Sequence, residues 1–446
     1  MFIYVDKLLF TSEEFWHFEG NPSWCKKVFS FKEMLMHTFR HRTMFTALSV
    51  ATVLASGSAT LGARLENVGT LDVDHPAFLF LEKGANQQST LFATSFGLFG
   101  GTAVYEIGNL EAVGAPSGEM EIKNLSSRFV WPNEAKLPPD GVFSKDLVFI
   151  TDGFLVPGKG DGGIYALDRV TQQVSSVVPK SEGKWFYHRI RWVDIDGDGR
   201  LDILTARAKT NLFGGSKGQL IWLKQPEDPM QFPWSSEVIA DGPDVHFDLQ
   251  DLDHDGFPEI ITGEFFQKRL SLHWRENGTW KKSLIDQSPG AVFDVSFADL
   301  NGDKKIDLLA TNHEKGPDAA VFAYEVPQNF RNQMWPKHIL LSGIETRQGG
   351  FGQASPGTAR AFFANTQQTE GKPQILVSGD GSQRAHLLTA GSTSAADWTY
   401  QEAIIYDAKS SVIGQPAIGD VTGDGWVELF IPVYDHNKIV IFSHTP

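Results

Sequence analysis

Four stretches of the chain repeat one arrangement of apolar and polar positions: an alternating apolar run, a polar turn built on D-x-[DNT]-x-D, a carboxylate at the ninth position, and a second apolar run. They begin at Arg191 (RWVDIDGDGRLDIL), Leu249 (LQDLDHDGFPEII), Phe297 (FADLNGDKKIDLL) and Ile418 (IGDVTGDGWVELF). Alternation of period two, with Ile, Leu and Thr after the turn, predicts pairs of short strands joined by tight loops. The first Asp positions, 194, 251, 299 and 420, are 57, 48 and 121 residues apart, and the last gap is close to twice the others. A degenerate copy fills it. From Ala359 the apolar run recurs, Asn365 stands at position one and the next strand arrives at Ile375, without the acidic residues. The same strand, loop, strand rhythm starts upstream at Pro76 and at Ser127. Seven units result, each long enough for four short strands. An all-β chain of seven four-stranded repeats predicts a β-propeller, which protects its sheet edges by closing into a ring. Closure requires residues after Arg64 to pair with the strand around Lys438 to Phe442.

The spacing within each turn carries chemistry. Positions one, three, five and nine are Asp194, Asp196, Asp198 and Asp202; Asp251, Asp253, Asp255 and Glu259; Asp299, Asn301, Asp303 and Asp307; and Asp420, Thr422, Asp424 and Glu428. A hard cation such as Ca²⁺ takes six to eight oxygens, and alternate residues of a tight loop aim their side chains at one centre. Gly199, Gly256 and Gly425 stand at position six, where the turn is sharp; the third loop carries Lys304 there and should be among the weaker sites. An EF-hand would need Glu at position twelve, which is Thr205, Thr262, Ala310 and Ile431. About four structural calcium ions are expected. Such saturated loops leave no open coordination position for catalysis.

The loops and blade rhythm resemble the FG-GAP or VCBS repeat family, the calcium-bearing propellers of integrin α-subunit heads and many secreted proteins. Its glycine and aromatic signature is echoed at Ser95 to Gly101, Asn211 to Gly215 and Phe351 to Gly357. The resemblance spans roughly residues 65–446 and implies metal-ligating roles for the side chains named above.

The N-terminus reads differently. Arg40, His41 and Arg42 precede the apolar run Met44 to Ala55 and then small residues up to Ala63, the order of a secretory signal. Residues 44–63 are expected to be a cleaved signal peptide, and 1–43 an extension ahead of it or a sequence upstream of the true start. The mature chain would have no membrane span and would lose Cys25, its only cysteine. Sequons at Asn124 and Asn277 suit secretion.

Composition narrows the partners. The 446 residues are 41% hydrophobic with a formal net charge of −15, which argues against a surface built to neutralise phosphates, and so against nucleic acid or anionic membrane. Removing the six basic and five acidic residues of 1–63 leaves 33 against 49, and 14 of those 49 lie in the four loops.

The strands entering the loops hold a second pattern. Five positions before the first ligand stand Arg189, His246, Asp294, Arg360 and Gln415, and three before stand Arg191 and Asp248. If register is kept, these form a polar ring of mixed charge around the channel, either a self-satisfied network of ion pairs or a pocket for a polar ligand. The expectation is a secreted binding module for a glycan or an extracellular protein, with that ring as a possible ligand site and Trp185 to His188 near enough to stack on a sugar. The alternative is a carbohydrate lyase or dehydratase, since propellers with similar repeats occur among such enzymes. There His246 and Asp294 would be acid and base, and Arg189 and Arg360 a carboxylate clamp.

Overall fold

The computed structural model describes residues 63–446 apart from 85–86, 98–100, 116–118, 157, 181–183, 212–214 and 348–353. The leader, residues 1–43 and 44–63, therefore lies outside the described residues except for Ala63. Seven antiparallel sheets of four strands each make a seven-bladed propeller. Blades 1 to 6 occupy residues 76–126, 134–178, 186–241, 247–286, 292–342 and 359–407, each running from the channel outwards.

Blade 7 is composite. Its three inner strands fall within 417–445, and the strand Arg64–Asp72 supplies the outermost. That strand pairs antiparallel with Lys438–Thr445, from Arg64 opposite Thr445 to Asp72 opposite Lys438. The strands Arg64–Asp72 and Lys438–Thr445, far apart in sequence, thus close the ring.

The alternation seen in the sequence becomes two buried faces per blade. Seven clusters of buried apolar side chains result, one at each interface between neighbouring blades. At the junction of blades 3 and 4, for example, Leu204, Leu220 and Trp222 meet Phe247 and Ile260. Each blade is half of two cores, so the disc holds together only when all the interfaces are made. Among the described residues no helix is long and apolar enough to cross a membrane.

Candidate metal loops and the channel hub

The four acidic turns each join the first and second strands of their blade and therefore emerge on one face of the disc. Three bonds recur in every copy. The position-one Asp accepts the backbone N–H of position six, at 2.8 Å from Gly199 to Asp194, 3.0 Å from Gly256 to Asp251, 2.8 Å from Lys304 to Asp299 and 3.0 Å from Gly425 to Asp420. The position-five Asp accepts position seven, from Arg200, Phe257, Lys305 and Trp426. The position-nine carboxylate reaches back across the loop to the N–H of Ile195, Leu252, Leu300 and Val421. Position six is left-handed throughout, Lys304 at φ +68° included, as the glycine at the other three copies demands. Position four is left-handed too, with glycine in three copies and His254 in the fourth; only the folded backbone reveals that requirement.

The donor set suits a hard divalent cation. Carboxylate oxygens of Asp194, Asp196 and Asp202 lie within 4.8 Å of one another, and so do those of Asp251, Asp253 and Glu259. In blade 7 the hydroxyl oxygen of Thr422, at position three, is buried without a hydrogen-bond partner. Burial raises the position-nine groups Asp202, Glu259 and Glu428 above the ordinary carboxylate range and pushes Asp307 up to about 7. A bound cation would offset crowded, partly buried acids of this kind. In blade 6, Asn365 at position one accepts the Gln367 N–H of position three at 2.8 Å, without the acidic residues.

The structure gathers the predicted ring residues, and it makes them a plug. Arg189 is 2% exposed and extends into the channel from a bulge, at φ +62°, where the pairing of Phe186–Val193 with the next strand slips by one. Its guanidinium donates to His246 Nε2 at 2.9 Å in blade 4 and to the side-chain oxygen of Gln415 in blade 7. Since arginine cannot accept, the His246 proton sits on Nδ1, which donates to Asp294 Oδ1 of blade 5 at 2.5 Å. Asp294 also accepts from the Arg360 guanidinium and from Ala359 N–H in blade 6.

Blades 1 and 2 complete the hub through residues the sequence pattern missed. Phe78 and Phe80 lie under the Arg189 guanidinium at 5.6 and 5.5 Å, and Glu134 lies 4.0 Å from it and 3.5 Å from Arg191. With no acidic loop in these two blades, nothing in the sequence anchored their register. Arg191, Asp248 and Arg360 retain about a quarter of their side-chain exposure. Trp185, Phe186, Tyr187 and His188 are all buried, which corrects the expectation that they could stack on a sugar. Trp185 instead packs under Arg207 and Lys209.

Charge within the hub is balanced between Arg189, Arg191 and Arg360 and the carboxylates Glu134, Asp248 and Asp294. Burial and the Arg189 guanidinium drive the His246 imidazolium down to about 3. Burial works to raise Asp294, but Arg360 and His246 outweigh it and hold that carboxyl well below its usual range. Both groups are therefore locked in one protonation state near neutral pH.

Elsewhere, a cleft of about 470 Å³ opens between blades 1 and 2 on the face that carries the acidic loops, lined by Pro138, Asp140, Phe143, Lys145, Asp146 and Arg169 among others. Asn124 and Asn277 are exposed, on the outermost strand Glu121–Ser126 and in a hairpin turn respectively.

Two solved structures align with much of the chain. A Bacteroides uniformis protein provisionally named a 6-phosphogluconolactonase aligns over 80% of this chain and 97% of its own, at 12% identity and a TM-score of 0.47. A Bacteroides fragilis protein with the same provisional name aligns over 79% and 93%, at 11% identity and a TM-score of 0.47. At that distance they carry no argument about activity. No curated protein sequence matches the chain. Residues 251–310, which run from the blade 4 acidic loop to the strand after the blade 5 loop, match the FG-GAP-like repeat family, and the chain is a seven-bladed β-propeller carrying an FG-GAP-like repeat.

Proposed function

We propose that the protein is a secreted, calcium-stabilised propeller that binds a glycan or an extracellular protein without turning it over. The observation that carries this reading is the state of the hub. His246 has both ring nitrogens engaged by Arg189 and Asp294, and Asp294 is committed to Arg360 and His246. A general acid or base must be free to exchange a proton near the working pH. Neither group is, which counts against the lyase or dehydratase reading of the same residues. The hub ties blades together, and ligand contact falls to the face that carries the acidic loops. There the cleft between blades 1 and 2 offers Asp140 and Asp146 as acceptors, Lys145 as a donor and Phe143 as an apolar wall, a mixture suited to a hydroxyl-rich ligand.

Calcium is the cation best matched to four loops of carboxylate, amide and hydroxyl oxygens. Each would clip a hairpin and relieve repulsion among its own carboxylates. Secretion is supported by the leader pattern of residues 40–63 and by the exposure of both sequon asparagines. The test is a glycan array run with calcium and with EDTA, beside a screen for unsaturated products from uronic-acid polymers. Calcium-dependent binding with no product is expected. Turnover that disappears in a folded His246→Ala variant would overturn the reading and install the enzyme in its place.

A further inference from the structure

The acidic loops differ in one respect that tracks their composition. Blades 3 and 4 have a carboxylate at position three, Asp196 and Asp253, and each of these is held by a basic side chain from outside its loop. Lys224, at the end of the strand Gly215–Lys224, pairs with Asp196 and lies 3.2 Å from Asp198. Arg331, from the neighbouring blade 5, donates at 2.6 Å to Asp253 and at 2.8 Å to Glu259. Arg331 is seated, with its guanidinium over Phe330 at 4.9 Å and over Trp274 of blade 4 at 5.6 Å. Blades 5 and 7 have neutral residues at position three, Asn301 and Thr422. Among the described residues no Lys or Arg from outside these two loops pairs with their carboxylates. Asp303 meets only its own loop's solvent-facing Lys305.

We propose that Lys224 and Arg331 are resident counter-ions of the position-three carboxylates, which they hold in the metal-free protein and yield to an incoming divalent cation. Counting cations from outside the loops, and leaving aside the loops' own Arg200 and Lys305, the four present matched charge: four carboxylates less one resident cation in blades 3 and 4, three carboxylates in blades 5 and 7. The physical reason is that a fourth uncompensated carboxylate in so small a loop would repel the other three when metal is absent. Arg331 has a further effect, because it belongs to blade 5 and its release on metal binding exchanges an ion pair between blades for a clip within blade 4. The inference rests on the metal reading above.

Calorimetric calcium titration of the full chain tests it, with Glu259→Gln included to mark which isotherm belongs to blade 4. Arg331→Met should tighten one site about tenfold with stoichiometry unchanged, since it removes a competitor coupled to the ligands. Asp253→Asn alone should weaken that site. The pair Asp253→Asn with Arg331→Met reproduces the carboxylate count of the blade 5 loop and should return affinity to near the wild-type value. Arg331→Lys, which keeps the charge, should change little, and Arg331→Gln replaces the Met variant should that one fail to fold. Unchanged or weaker binding in the neutral variants would overturn the counter-ion role, leaving Arg331 a brace between blades. If the wild type takes up no calcium, or Glu259→Gln keeps every site, the metal assignment itself falls, and the counter-ion role with it.

Discussion

His246 shows how one residue is fixed by its neighbours. An imidazole with both nitrogens bonded, flanked by Arg189 and sealed from water, resists protonation down to about 3. The unfolded chain, with an ordinary histidine near 6.5, binds the proton more readily, so stability rises with pH between those values and is lost as pH falls below about 6.5. The slope from this one residue approaches about 1.4 kcal/mol per pH unit. Denaturant unfolding of the wild type and His246→Gln from pH 7 to 4.5 checks it: the gap between the two should narrow on acidification, and a constant gap would show that His246 titrates normally. Lys304 makes the opposite kind of statement. It holds a left-handed conformation where its three counterparts are glycine, and its partner Glu370 is as solvent-exposed as itself. Lys304→Gly should raise the melting midpoint by about 1–2 °C, because backbone relief outweighs an exposed ion pair. A fall on differential scanning calorimetry would mean that the Lys304 and Glu370 bridge between blades matters more than the turn.

At the scale of the element, the acidic loops were readable because their polar residues recur at fixed spacing. The residues at positions one, three, five and nine located the turn, and the turn located the strands on either side. Asp202–Asn211, Glu259–Glu264, Asp307–Asn312 and Glu428–Val433 all begin on the position-nine carboxylate. What spacing could not report was the bulge. The pairing slips at Arg189, and period-two alternation alone would place Arg189 and Ile190 on opposite faces without saying that the backbone turns left-handed there. The bulge carries the predicted ring residues into a mutually bonded network. They meet across the channel, through one long guanidinium, and satisfy each other. Glu134, Phe78 and Phe80 lay beyond sequence reasoning because blades 1 and 2 lack the acidic turn that would have set their register.

Over the whole molecule, the count of seven blades and the closing pair of strands followed from the repeat spacing and the need to leave no free edge. The partnership of Arg64–Asp72 with Lys438–Thr445 is the consequence. The cores lie between blades, so stability is a property of the closed ring, and the four loops and the central hub both brace it. With four cations bound to the native state alone, each at roughly a hundredfold excess over its dissociation constant, mass action would contribute about 10 kcal/mol, which at this chain length corresponds to a melting shift of roughly 10 °C or more. The most direct test of the account is the thermal melting of the purified full chain in calcium and after exhaustive chelation, with bound metal counted by elemental analysis. Close to four calcium ions per chain and a large fall in the melting midpoint on chelation are predicted. Chain free of calcium that melts at the same temperature in both conditions would contradict it.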